Sequence, residues 1–139
     1  MDLTLSIDDV MPAPQGSKTY IGRGRLIESC KRVKPYRKAV VKAGKLKVKD
    51  LISEPIEINL EFKFSRPKAH FDSYGKIRKS APIFLTTKRG DIDKLCRSTL
   101  DGLTSSVIVD DSQVVKLNAY KRYCEVGERT GTNIYIKTL

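Results

Sequence analysis

"PIEINLEFKF", residues 55–64, is the stretch that most narrows what this chain can fold into. Ile56, Ile58, Leu60, Phe62 and Phe64 occupy one side of a period-two pattern, and Glu57, Asn59, Glu61 and Lys63 the other. Successive side chains of a strand point to opposite faces, so this reads as a half-buried strand. A sheet with one dry face needs a second layer on it. Two helical patterns can supply that layer. "KPYRKAVVKAGKLKVK", 34–49, suits a helix beginning near Pro35, a residue at home in a first turn. Over 92–104, Ile92, Leu95, Cys96, Thr99, Leu100 and Leu103 follow the i, i+3, i+4, i+7 spacing of one buried stripe.

The remaining elements are shorter. "LTLSI", 3–7, alternates like a strand; "YIGRGRLIES", 20–29, suits a glycine-rich hairpin; "SVIV", 106–109, is strand-like. "QVVKLNAYKRY", 113–123, and "TNIYIKTL", 132–139, read as the last strands, separated by the turn "EVGERTGT". Residues 66–90 lose all periodicity and are rich in Lys and Arg, with Asp72 the one acid. A loop of that length is functional or disordered, and here a flexible basic loop is expected. The expectation is an α+β fold in one domain over 1–139. It is a two-layer arrangement with a mostly antiparallel or mixed sheet of about four to six strands covered by two helices.

Composition excludes several function classes. No apolar run approaches the roughly 20 residues of a membrane span. "MDLTLSIDDV" has acids where a secretion signal needs basic and apolar regions, so a cytoplasmic protein without a leader is expected. Cys30, Cys96 and Cys124 are odd in number and far apart, which argues for reduced thiols and against a disulfide framework. His70 is the single histidine, which argues against a zinc site and against a His-based dyad. Lys and Arg number 27 against 16 Asp and Glu, a net charge of +11 that points to a polyanionic partner.

Against that charge, residues 89–114 concentrate five aspartates: Asp91, Asp93, Asp101, Asp110 and Asp111. On a helix, Asp93, Arg97 and Asp101 form a polar line at i, i+4, i+8 beside the apolar stripe. A sheet packed on that helix would bring Asp110 or Asp111 back toward Asp91 and Asp93. Such a cluster suits Mg²⁺, with Mn²⁺ as a substitute, because hard cations prefer carboxylate, water and phosphate oxygens. Phosphodiester hydrolysis uses this arrangement, since the ion activates water and neutralises charge on the phosphate. The plainer alternative stays open: Asp91 as a helix cap, Asp93 as a first-turn acid, Asp93–Arg97–Asp101 as an ion-pair ladder, and "VDDSQ" as turn chemistry.

Three stretches resemble the RusA family of Holliday junction resolvases. "GDIDKLCRSTLDGL", 90–103, is similar to its Asp-x-Asp motif; "VDDSQV", 109–114, to its second acidic motif, with Lys121 following; and "PAPQGSK", 12–18, to its N-terminal Pro-x-x-x-Gly-Ser-Lys loop. The resemblance runs in order along nearly the whole chain. It implies a homodimeric, Mg²⁺-dependent endonuclease that nicks opposed strands of branched DNA symmetrically, without a small-molecule cofactor or a membrane. Asp91, Asp93 and Asp111 would be metal ligands, with Asp110 as the alternative to Asp111. Arg97 stands where the family best knows a catalytic lysine; arginine keeps its proton near neutral pH, which leaves electrostatic stabilisation. Lys121 would face the site, and Asp101 would support it. Lys18, Lys68, Lys76, Arg78, Lys79, Lys88 and Arg89 are the expected DNA contacts. In place of aromatic residues before Asp-x-Asp this chain has "TTKRG", with Phe84 the nearest aromatic.

Two rivals make different predictions. A restriction-endonuclease-like nuclease would use Glu61 and Lys63 as a Glu-x-Lys strand. A non-catalytic nucleic-acid-binding module would use its aspartates only as caps and ion pairs.

Overall fold

A computed structural model describes residues 1–16, 18–23, 25–28, 31–87 and 90–139, with backbone only for 18–21 and 25–28. In chain order the elements are β1 (Asp2–Asp8), β2 (Lys18–Gly22), β3 (Arg25–Glu28), α1 (Val33–Lys47), β4 (Ile56–Phe64), α2 (Ile92–Leu103), β5 (Val114–Tyr123) and β6 (Gly131–Thr138). The main sheet has the order β1-β6-β4-β5 and is mixed. β6 runs antiparallel to both β1 and β4, while β5 runs parallel to β4. A parallel pair needs a long crossover, and the chain between β4 and β5 provides one that includes α2. β2 and β3 form the expected hairpin as a separate two-stranded sheet.

β4 fulfils the alternation that opened the sequence: its five apolar side chains are all buried. They pack with Leu5 and Ile7 of β1, Ile134 and Ile136 of β6, and the inner faces of both helices. Pro35 falls in the first turn of α1, where a missing N–H leaves no intrahelical bond unmade. The helices approach closely: a Cβ at Gly102 would lie 2.9 Å from the Val40 side chain. Tyr36 crosses the core and joins three elements, its hydroxyl 2.9 Å from Thr99 Oγ1 and 2.8 Å from Thr132 Oγ1. Burial outweighs those hydrogen bonds and pushes the phenol up to about 12, so it stays protonated.

Two expectations need correction. "SVIV" is no strand: Val107 and Ile108 are fully buried in a turn, with Ser105 at φ 68° and Ile108 bridged only to Ile52 and Thr104. A short apolar run reads the same whether it is a buried turn or a strand. Ile92 does not belong to the buried stripe, being 40 % exposed. Phe84, the nearest aromatic before Asp91, is 58 % exposed and bridges to Arg122 on β5.

The basic stretch after β4 follows local rules. Lys68–His70 makes a 3-10 turn, and the Asp72 carboxylate accepts from the N–H groups of Tyr74 (2.9 Å) and Lys76 (3.0 Å). Arg66 fastens it to the end of β5, donating to the carbonyls of Cys124 (2.8 Å) and Pro82 (2.7 Å) and stacking 5.3 Å from the Tyr123 ring. Among the described residues, no helix is long and apolar enough to cross a membrane.

Candidate active site

The sheet ends at β5, and α2 lies beside that edge strand and the turn that leads into it. The gap between them is an open cleft of about 530 Å³, lined by Ile92, Asp93, Cys96, Arg97, Leu100 and Asp101 from α2, by Asp111, and by Leu117 and Ala119 of β5. Two separate motifs therefore meet: Asp93 comes from the start of α2 and Asp111 from the 3-10 turn (Asp111–Gln113) that leads into β5. Register explains the β5 contribution. Leu117 and Ala119 pair with Ile58 and Leu60 of β4, so they share the helix-side face. Lys121 pairs with Phe62 on that same face, and its Nζ donates to the Gly90 carbonyl at 2.6 Å, next to Asp91.

Each expected acid has a distinct setting. Asp91 occupies the N-cap position of α2, yet its carboxylate makes no cap bond and lies 3.6 Å from Lys94 Nζ. Asp93 is exposed in the first turn. Asp110 and Asp111 divide their labour. The Asp110 side chain accepts from Ser112 N–H at 3.0 Å, and its own N–H donates to Gln113 Oε1 at 2.8 Å, a reciprocal cap. The hydrogen bonding with Ser112 holds the Asp110 carboxyl below the usual range. Asp111 is left exposed at the cleft. Among the described residues, no three His, Cys, Asp or Glu side chains come together closely enough to hold a metal ion. Asp93 and Asp111 share the cleft, and Asp91 is turned to its lysine.

The ladder Asp93–Arg97–Asp101 does not form. Among the described residues Arg97 has no ion pair and is exposed, its Nη1 3.7 Å from where a Cβ on Gly16 would sit. Asp101 instead accepts from Gln15 Nε2, and Arg37 Nη1 donates to Gln15 Oε1 at 3.1 Å while lying 3.8 Å from Asp101. The Pro-rich loop is thus docked along α2, with Gln15 N–H on the Lys94 carbonyl (3.0 Å) and Ser98 Oγ on the Ala13 carbonyl (2.5 Å). Gln15 and Arg37 were not among the residues singled out in the sequence. The only signal was a glutamine inside "PAPQGSK", which names no partner.

Cys96 also lines the cleft, but burial, with the Asp93 charge beside it, pushes its thiol up to about 11. A thiol so rarely ionised is a poor nucleophile. Of the expected DNA contacts, Lys68, Lys76, Arg78 and Lys79 are all exposed on the segment after β4. Lys18 begins β2, its side chain outside what is described, and Lys88, Arg89 and Cys30 lie outside the described residues.

Glu61 and Lys63 are remote from this chemistry. Glu61 points to the sheet face opposite the core residues of β4, where it accepts from the Tyr120 hydroxyl, from Asn133 Nδ2 (2.7 Å) and from Arg122 Nε (3.3 Å). Partial burial pushes its carboxyl up, but these three bonds win and hold it below its usual range. Lys63 is buried. Glu61 is committed to cross-strand bonding.

Fold and cleft together describe a class: an α+β domain that keeps carboxylates in a cleft within a cationic chain. Residues 9–137 match the family described as "Endodeoxyribonuclease RusA". The chain belongs to that family of endodeoxyribonucleases, hydrolases that cut within DNA strands. Comparison with curated proteins finds no match.

Proposed function

We propose that this chain is a divalent-metal-dependent endonuclease that resolves four-way DNA junctions by paired, symmetric nicks, working as a homodimer. The observation that carries this reading is the meeting of Asp93 and Asp111, from two distant motifs, in one cleft beside Arg97. The donor set fits a hard divalent cation, since every candidate ligand is a carboxylate and the one thiol present is held protonated. Asp91, Asp93 and Asp111 would hold it, with Asp110 the alternative to Asp111 and the less suited of the two because its carboxylate also caps its own turn. A bound Mg²⁺ supplies charge neutralisation at the phosphate and lowers the pKa of a coordinated water.

The chain's own residues do the rest. Arg97, with no ion pair among the described residues, presents a planar cation to phosphate oxygens and stabilises charge without giving up a proton. Lys121 grips the Gly90 carbonyl and fixes where the Asp91–Asp93 turn begins. Lys68, Lys76, Arg78 and Lys79, with Lys18, Lys88 and Arg89, attract the DNA backbone. A two-fold junction is matched by a two-fold dimer, and β5 offers an outer edge with Val115 and Tyr120 exposed on it.

The test is a synthetic four-way junction incubated with Mg²⁺, Mn²⁺ or EDTA, using wild type, Asp91→Asn and Glu61→Ala. Cleavage by wild type with metal, none with EDTA or Asp91→Asn, and near-normal cleavage by Glu61→Ala are expected. Equal cutting by Asp91→Asn, or no cutting of any branched substrate by wild type, would sink the reading.

A further inference from the structure

The outer face of α1 carries a charge pattern that the cleft does not use. Lys34, Lys38, Lys42 and Lys45 recur at i, i+4, i+8 and i+11, which keeps them on one side of the helix. All four are exposed, and among the described residues none has an ion pair. With Arg37, Val41 and Leu46 they line a groove of about 780 Å³ in which Asp101 is the one acid among the described residues. Asp101 lines the catalytic cleft as well, so the two hollows share a wall. The hydrogen bonds from Arg37 through Gln15 to Asp101 tie that wall together.

We infer that the α1 groove is a docking track for a duplex arm of the DNA substrate, continuous with the cleft. This inference rests on the proposed junction-cleaving function. Charge complementarity chooses the occupant: four lysines with no ion pair among the described residues and one acid make a strongly cationic strip, and the polyanion best placed to reach it is the one whose backbone enters the adjacent cleft. The dimensions agree. Lys34 to Lys45 spans about 16 Å at ~1.5 Å per residue. One strand of duplex carries a phosphate about every 3.4 Å along the axis, so the strip matches about five phosphates when helix and duplex run side by side. Val41 and Leu46 line the same groove beside the lysine stems, which cover apolar surface and hold their ammonium groups outward. The contacts are to backbone alone, so the track gives affinity and orientation but no sequence preference.

Lys38→Gln with Lys42→Gln tests this against Lys116→Gln with Lys137→Gln, which removes equal charge from the sheet face away from the helices. Junction binding is measured with Ca²⁺ in place of Mg²⁺ over a range of salt, with far-UV circular dichroism to confirm folding. The α1 pair is expected to weaken binding by at least about tenfold near 0.1 M salt and to flatten the plot of log K against log salt by about 2, roughly one per lost contact. The sheet pair is expected to change neither, and Lys38→Arg with Lys42→Arg is expected to bind as wild type. If wild type binds and cuts junctions while the α1 pair matches it, or while both pairs weaken alike, the track is overturned and the proposed function stands. The first of those results would leave the strip to a protein partner. If wild type neither binds nor cuts junctions, both fall together.

Discussion

Lys121 Nζ sits 2.6 Å from the Gly90 carbonyl, so the edge strand holds the backbone immediately before the Asp91–Asp93 pair. The bond joins β5 to the entry of α2, the two walls of the cleft. Replacing Lys121 with Met keeps the apolar stem and removes the donor. Its effect is expected in the cleavage step, a fall of about 100-fold in single-turnover rate from misplaced acids, with junction affinity changed little. Equal loss of binding and cleavage would make Lys121 a docking residue instead.

The Asp110–Asp111 pair gives opposite outcomes for neighbouring acids. Asp110 caps its own turn through Ser112 and Gln113, and Asp111 faces the cleft. Asp111→Asn is expected to lower cleavage by about 100- to 1,000-fold with an unchanged melting temperature, an effect of the size seen when one electrostatic group is removed from an active site. Asp110→Ala is expected to lower the melting temperature and keep cleavage near wild type. Parallel thermal melts and cleavage assays separate the two, and the reverse pattern would exchange the roles.

This division shows what was legible in the chain. Period-two alternation placed β4, and the 3.6-residue pattern placed α2, because each has one dry face and burial imposes the period. The same patterns left Asp110 and Asp111 interchangeable: an acid that caps its turn and an acid that faces the cleft are both carboxylates in a polar turn, and only the three-dimensional turn says which is which. Ile92 fits the apolar stripe by spacing, yet the sheet stops short of it, and where a sheet stops is a tertiary fact. The polar line Asp93–Arg97–Asp101 was correct as geometry but not as pairing, since Gln15 and Arg37 compete for Asp101 from 86 and 64 residues away. The lysines of α1 were visible as a basic helix; their alignment with the cleft required Asp101 to be seen from both sides.

Glu128 gives a pH-dependent stability. Arg122 donates to it through two nitrogens, at 2.6 and 2.7 Å, and this holds its carboxyl down at about 2. A carboxylate with a depressed folded pKa contributes stability above its unfolded value of about 4.3, and that contribution fades as pH falls toward 2. The pair is partly open to solvent, so screening reduces its worth to about 1–2 kcal/mol. Glu128→Gln is therefore expected to cost that much at pH 7 in urea unfolding and far less near pH 2.5. A mutational cost that is constant with pH would assign the effect to packing at the β5–β6 turn.

Gly44 sets a sign contest. It lies inside α1, where Gly→Ala ordinarily stabilises a helix by about 1 kcal/mol. Here an added Cβ would stand 2.5 Å from Val107 Cγ2 and 3.1 Å from Ser106 Oγ. Val107 is fully buried and β-branched, so it has no free rotamer to retreat into. Overpacking of that kind costs about 1–3 kcal/mol, which exceeds the propensity gain. Gly44→Ala is expected to destabilise the fold by chemical denaturation, and Gly44→Ala with Val107→Ala to recover part of the loss, because the second change removes the methyl that the first one strikes. A stabilised single variant would mean that the turn after α2 yields more easily than its burial implies.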